Sequence, residues 1–359
     1  MEKKLIHGET LGELEGAVVA MGQPKFRAKQ VADWLYKKRA CSWAEMTNLP
    51  VEFREKLEDE YVFCSTVPIK IHKSQDTTRK YLMQLGDGSL VETVSLWAPD
   101  VEDETGFGRV TVCLSTQVGC AYGCNFCASG LSGFKRNLEA GEIVDQLLTV
   151  ATDIEKESGK TDRFPIDNIV VMGMGEPLAN YQNLIQALTI INSDWGLRFG
   201  ARRITVSTSG LVPEIEKLAD EKIQFRLAIS LHGTTNEVRN QIMPINRKYP
   251  LEKLFPAIKQ YSEKRGRMIT LEYILIRDLN DSLSQAQQLA KIAHYLHAHV
   301  NLIPCNKVES LSWIAPMPAV QKQFIGFLKS ANVSATIRLE KGDPIAAACG
   351  QLSFKTKVG

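Results

Sequence analysis

"VTVCLSTQVGCAYGCNFC", residues 110–127, runs an apolar, β-branched stretch straight into a loop holding three cysteines. The stretch has the composition of a buried strand. Comparable runs follow it: "DNIVVMGMG" (167–175), "RITVSTSG" (203–210), "FRLAISLH" (225–232), "ITLEYILI" (269–276), "VNLIPCN" (300–306) and "ATIRLE" (335–340). Helical patterns lie between them. Between the first two runs, Ile143, Val144, Leu147, Leu148, Ala151 and Ile154 recur at helical spacing. Near-continuous apolar strands alternating with helices predict βαβ units and a parallel sheet covered on both faces. About seven such strands suit a full or partial parallel β/α barrel better than a small open sheet. Barrels of this kind gather functional groups at the C-terminal ends of their strands, where the cysteine and polar motifs of this chain sit.

Upstream the texture differs. Residues 10–62 read as helical, with Ala28, Val31, Ala32 and Leu35 on one face and Phe53, Leu57 and Tyr61 on another. Pro50 is placed to open a helix. "VPIKIH" (67–72), "KYLMQL" (80–85) and "VETVSLW" (91–97) read as short strands, with "GDG" (86–88) as a tight turn. The expected division is therefore an N-terminal helical domain (1–64), a β extension (65–110), the barrel (111–340) and a C-terminal segment (341–359).

Of the 359 residues, 44% are apolar and 23% charged, ordinary for a soluble globular protein. A formal charge of +2 argues neither for nor against a polyanionic partner, so local charge has to be examined. The first residues lack an apolar core of signal-peptide length, and no apolar run approaches the roughly 18 residues of a membrane span. Eight cysteines without such a signal point to a reducing compartment, read here as the cytoplasm, where clustered thiols bind metal or do redox chemistry.

Cys120, Cys124 and Cys127 form a Cys-x3-Cys-x2-Cys loop. Structural zinc usually takes four ligands, and a second pair is missing. A 4Fe–4S cluster also usually takes four thiolates, so three leave one iron open to another ligand. A buried-cysteine cluster or partial zinc knuckle is the plainer alternative. The spacing resembles that of the radical S-adenosylmethionine (SAM) enzymes, with Phe126 as the aromatic residue before the third cysteine. The resemblance implies a 4Fe–4S cluster held by the three thiolates, with SAM on the open iron. It also implies a SAM site at the strand ends: Gly175 and Glu176 in "MGMGEP", Ser207 in "VSTSG", Ser230, Leu231 and His232 in "SLH", and Asn306 in "PCN". Taken by itself each has a bland reading, as a turn glycine, a structural histidine or a loop asparagine.

The resemblance narrows further. Cys113 in "VCLSTQVGC", then "SGFKRNL", "GMGEPL", "VSTSG", "SLHG" and the tail motif "AACGQL" (347–352) occur in order. Together with an N-terminal "KFRAKQ…W…MTNLP" segment they resemble the RlmN/Cfr group of radical SAM RNA methyltransferases over nearly the whole chain. That group implies methylation of an adenine carbon in RNA, with two SAM molecules per turnover. Cys349 would first take a methyl group from SAM, and a radical would then join that carbon to the base. Glu92 would remove the ring proton, and Cys113 would attack the Cys349 sulfur, forming a disulfide and freeing the product. The plainer reading of Glu92 is an edge-strand glutamate facing water. C2 is favoured over C8, with adenosine 2503 of 23S rRNA and adenosine 37 of tRNA as expected targets. A low-potential donor such as flavodoxin or ferredoxin, and a monomer, are implied as well. Pro344 and Ala346 depart from the group's pattern, where acidic residues are common.

Charge for RNA binding is local: Lys70, Lys73, Arg79 and Lys80; Lys135 and Arg136; Arg198, Arg202 and Arg203; Lys355 and Lys357. Two other classes stay open. One is a radical SAM enzyme with a non-RNA substrate, which would not require the Cys113–Cys349 pair. The other is a non-catalytic metal-bearing RNA-binding module.

Overall fold

The structure is a computed structural model that describes residues 3–98, 108–131, 133–158, 164–307, 311–338, 342, 345–348 and 350–352. Strand β1 (Lys4–Leu5) pairs in parallel with β2 (Tyr61–Val62), tying the two ends of the N-terminal helical unit together. Between them lie α1 (Leu11–Ala20), α2 (Arg27–Ala32) and α3 (Val51–Glu60). A capping box starts α1: the Thr10 hydroxyl accepts from the Glu13 N–H, and the Glu13 carboxylate accepts from the Thr10 N–H.

One ten-stranded sheet organises the rest. Strands β3 (Val67–Lys73), β4 (Arg79–Gln84) and β5 (Leu90–Ala98) form an antiparallel meander, and β5 pairs with β6 (Arg109–Cys113). From β6 the sheet continues in parallel through β9 (Asn168–Val171), β10 (Ile204–Thr208), β11 (Arg226–Ser230), β12 (Thr270–Leu275), β13 (His299–Pro304) and β14 (Ala335–Ile337). A separate hairpin of β7 (Gln117–Gly119) and β8 (Phe134–Asn137) brackets the cysteine loop. All seven apolar runs named above are strands of the parallel array, in sequence order. The described strands form a linear series from β14 to β3 with no closing pair, so this is a partial barrel.

Helices cover the array: α4 (Ala128–Leu131) and α5 (Ala140–Ser158), α6 (Tyr181–Asn192), α7 (Val212–Leu218), α8 (Asn236–Ile242), α9 (Leu251–Arg265), α10 (Leu283–Leu296) and α11 (Pro318–Ser330). The expected apolar stripe of α5 is buried, with Ile143, Val144, Leu147 and Ala151 fully enclosed. Burying four such side chains contributes on the order of 6 kcal/mol before entropy is counted. The N-terminal unit docks on the same helix. A Cβ on Gly141 would lie 2.6 Å from the Leu5 side chain, so only glycine allows this approach. The apolar core runs without a break from Ile6 to Ala335. Among the described residues, no helix is long and apolar enough to cross a membrane.

Candidate active site

The cysteine loop is held from two sides and by a turn of its own. The Cys120 N–H donates to the Gly133 carbonyl at 2.9 Å, closing the β7–β8 hairpin. The Asn125 N–H donates to the Ile242 carbonyl at 2.9 Å, at the end of α8. The Cys127 N–H turns back to the Cys124 carbonyl at 3.0 Å. Gly119 at the loop's entry has φ +77, and a Cβ there would lie 1.8 Å from the Gly133 oxygen, so no other residue fits.

Cys120, Cys124 and Cys127 line one cavity at the C-terminal mouth of the parallel strands. Cys113, ending β6, lines it too and is nearly buried. Phe126, Gly175, Glu176, Ser207, Ser230 and His232 complete the set of expected residues that the fold brings together there. Leu231, Asn306 and Glu92 are buried but do not line this cavity. Cys349 and Pro344 lie outside the described residues, as do Lys355 and Lys357. Residues on either side of Cys349, namely Ala347, Ala348, Gly350 and Leu352, line the cavity. The Ala128 N–H donates to the Gly350 carbonyl at 2.7 Å and the Ser129 hydroxyl to the Leu352 carbonyl at 2.7 Å. The tail therefore lies against the cysteine loop. Cys113 packs in a small apolar cluster with Val94, Met174, Ala347 and Leu352.

Burial pushes the Cys120 thiol up to about 11, and burial together with the neighbouring Cys127 and Cys120 raises Cys124 well above the ordinary thiol range. Thiols so placed bind as thiolates only to a cationic centre. Among the described residues no three metal-binding side chains already converge as a finished metal site. Three thiols of one short loop on the cavity wall, with the other described cysteine there, Cys113, standing apart on strand β6, are the donor set that a cluster with one open iron requires.

Glu176 follows Gly175, whose φ is +100 and whose Cβ would strike the Gln117 side chain at 2.5 Å. Glu176 itself is buried and lines the cavity. Its Oε1 accepts from the Leu178 N–H at 3.0 Å and its Oε2 from the Ser209 N–H at 2.7 Å. Burial raises its pKa even though these hydrogen bonds pull the other way. An ammonium group set against this carboxyl would favour ionisation, which suits the amino group of an amino-acid ligand.

His232 is buried, with φ +55. Its Nδ1 accepts from the Ile274 N–H at 3.1 Å, which leaves the ring proton on Nε2. Burial, with the nearby Arg239 guanidinium, pushes its pKa down to about 3. The imidazole lies edge-on to Phe126 (centroids 4.8 Å apart) and lines the site.

Two features were not anticipated. Arg239, fully buried, donates to the carbonyls of Leu231 (3.1 Å), Ser209 (2.6 Å) and Ser230 (3.3 Å) and to Asn246 Oδ1 (2.8 Å). It stitches together the ends of β10 and β11 and puts positive charge beside Cys124. Glu272, on β12, lines the cavity and accepts from Asn301 Nδ2 at 2.7 Å. Its signal was present as the one charge in "ITLEYILI".

The expected basic surface is partly dismantled. Arg79 is buried and pairs with Asp153 (3.0 Å) and Glu157 (2.6 Å) on α5. Lys80 is buried as well and pairs with Glu92 at 3.0 Å. Lys73 pairs with Glu157, and Arg136 with Asp87 and Glu142. Lys70, Lys135, Arg198, Arg202 and Arg203 remain exposed. Glu92 does not face water: it lies on an interior strand, paired on both sides, with 1% of its side chain exposed.

A partial β/α barrel with a three-thiol loop at its mouth defines a radical SAM enzyme, and residues 114–290 match the radical SAM superfamily. Residues 6–62 match the ribosomal RNA large subunit methyltransferase N-terminal domain. The chain is 57% identical to a probable dual-specificity RNA methyltransferase RlmN 3 of Opitutus terrae, covering 99% of this chain and 96% of that one. It is 49% identical to the probable dual-specificity RNA methyltransferase RlmN of Akkermansia muciniphila, covering 98% and 96%. The crystal structure of a radical SAM methyltransferase from Sphaerobacter thermophilus superposes with a TM-score of 0.90 at 40% identity, covering 97% of this chain and 99% of that one. The chain belongs to the RlmN family of radical SAM RNA methyltransferases. It is a SAM-dependent enzyme whose cofactors are a 4Fe–4S cluster and SAM.

Proposed function

We propose that this enzyme methylates C2 of adenosine in RNA, at adenosine 2503 of 23S rRNA and adenosine 37 of tRNA, by way of a methylated cysteine. When bound, the cluster and SAM supply the radical that activates the carried methyl group. Cys120, Cys124 and Cys127 hold the cluster, and Phe126, Gly175, Glu176, Ser207, Ser230, Leu231, His232 and Asn306 shape the SAM site. Cys349 carries the methyl carbon as a thioether and joins it to the base. Glu92 takes the ring proton once the adduct has given up one electron, which the oxidised cluster would accept. The Cys113 thiolate then attacks the Cys349 sulfur; the S–C bond breaks, its electron pair goes to the product carbon, and a proton completes the methyl group. Two SAM molecules are consumed per turnover, and a low-potential donor such as flavodoxin or ferredoxin supplies the electron that starts the radical step and the two that reopen the disulfide. The target base leaves its stack to reach the cavity. The enzyme acts as a cytoplasmic monomer, with residues 1–64, 65–110, 111–340 and 341–359 as accessory domain, β extension, barrel and carrier segment.

The observation that carries this reading is the meeting of Cys113 with Ala347 and Leu352, the tail residues flanking Cys349, beside the cysteine loop. Nucleoside mass spectrometry of RNA from cells with and without the protein tests it. 2-Methyladenosine is expected to be present in the first and lost in the second. 8-Methyladenosine in its place would reassign the carbon.

A further inference from the structure

The carrier segment is gripped by the β3–β4 hairpin at two points. Asp76 Oδ2 accepts from the Gly342 N–H at 2.6 Å. Gly342 has φ +77, and a Cβ there would come within 2.9 Å of both Thr78 Cγ2 and Ala347 Cβ. Four residues on, Lys80 Nζ donates to the carbonyl of Ala346 at 3.2 Å. Ala346 itself has φ +49, a left-handed conformation that costs an alanine roughly 1 kcal/mol or more. The same ammonium lies 3.0 Å from Glu92 Oε1, with 7% of the lysine side chain and 1% of the glutamate side chain exposed. An ammonium this buried is tolerable only while its donors are satisfied. One cation is thus shared between a carboxylate on β5 and a strained carbonyl three residues before Cys349.

We infer that Lys80 is a positioning residue that couples closure of the tail to alignment of the Glu92 carboxylate. The inference rests on the roles given above to Glu92 and Cys349. With the tail closed, Lys80 holds the Ala346 carbonyl and draws Glu92 Oε1 to a fixed place. When the tail moves, Lys80 loses that carbonyl, one of the two partners that fix its ammonium, and the carboxylate it pairs with is held less firmly. Proton removal is therefore efficient only while residues 345–348 are held at Lys80. Asp76 grips the same segment through Gly342, so its loss reaches the base only by loosening the tail, whereas loss of Lys80 removes the base's cation as well.

Two measurements test this on the full chain. The first is amide exchange by mass spectrometry on the protein as isolated. Lys80→Met keeps the aliphatic stem and removes the ammonium; Asp76→Ala removes the other grip. Both are expected to speed exchange across residues 345–352 about tenfold, the effect of losing one charge-assisted hydrogen bond, while β10 and β11 stay protected. The second follows the protein–RNA adduct in reconstituted enzyme. Lys80→Met is expected to form the adduct and retain it although Cys113 is present, with product release about tenfold or more below wild type. Asp76→Ala, which loosens the tail but leaves Lys80 beside Glu92, is expected to resolve its adduct more slowly than wild type and faster than Lys80→Met. Because Lys80→Met leaves Glu92 without this cation, Lys80→Met/Glu92→Gln is read alongside for tail exchange, where it should match the single variant. Wild-type tail protection in both lysine variants, or an adduct that Lys80→Met resolves at the wild-type rate, would overturn the inference. If wild type itself gives neither adduct nor methylated adenine, the proposed function fails and the coupling to the base fails with it; tail exchange then still decides whether Lys80 holds the segment.

Discussion

Cys113→Ala is expected to leave RNA covalently attached to the protein. The thiol at position 113 ends strand β6, lines the cavity and packs against Ala347 and Leu352 of the carrier segment. Without it nothing in that position attacks the Cys349 sulfur, and a thioether does not break unaided. Steps before resolution use other residues, so methyl loading of Cys349 and adduct formation should proceed. Release of methylated RNA should fall roughly a thousandfold or more, as for loss of a reacting group. On a denaturing gel the protein should migrate as a slower band that collapses on nuclease digestion. Alanine removes little buried volume, so folding should survive and a thermal melt should shift by only a few degrees. Free methylated RNA released at the wild-type rate would leave Cys113 as no more than a packed side chain.

Cys349→Ala should abolish the reaction earlier. In the proposed mechanism the carbon to be transferred has no other carrier, so neither methylated RNA nor adduct should form, a loss of roughly a thousandfold or more in turnover. Iron and sulfide content after reconstitution should equal that of wild type, because the three ligating cysteines belong to a different segment. The double variant Cys113→Ala/Cys349→Ala should show no shifted band. An adduct that persists in the absence of Cys349 would move the carrier role to another residue.

How far the sequence alone led depends on which physical signal each element carries. The seven parallel strands were legible because, the edge strand β14 apart, their side chains are buried or half-buried on both faces, which favours near-continuous apolar runs such as "DNIVVMGMG" and "FRLAISLH". Glycines at turns were legible in the same local way. What the alternation of "VETVSLW" did not disclose is that its strand lies inside the sheet, hydrogen-bonded to β4 on one side and β6 on the other. Glu92 is tolerated there by a cation from the neighbouring strand, Lys80, twelve positions away. The basic run around residues 70–80 misled for the same reason. Its partners Asp153 and Glu157 project from α5, more than seventy residues downstream, and no local pattern announces them. Arg239 escaped notice because a lone arginine on a short helix has no motif. Its function as a clamp on β10 and β11 exists only once Ser209, Ser230 and Leu231 have been brought to it by the fold. The cavity was read more completely than the surface, since the fold requires small and polar groups at the strand ends whatever lies outside.

The central claim is that the methyl carbon reaches adenine through Cys349 after losing one hydrogen. It is tested most directly with SAM deuterated in its methyl group, supplied to the reconstituted enzyme and RNA in ordinary water. One deuterium is lost to the radical, and one solvent hydrogen arrives when Cys113 releases the product. The account predicts 2-methyladenosine whose new methyl group keeps two deuteriums and holds one hydrogen. A methyl group carrying all three deuteriums would mean direct transfer from SAM and would contradict it.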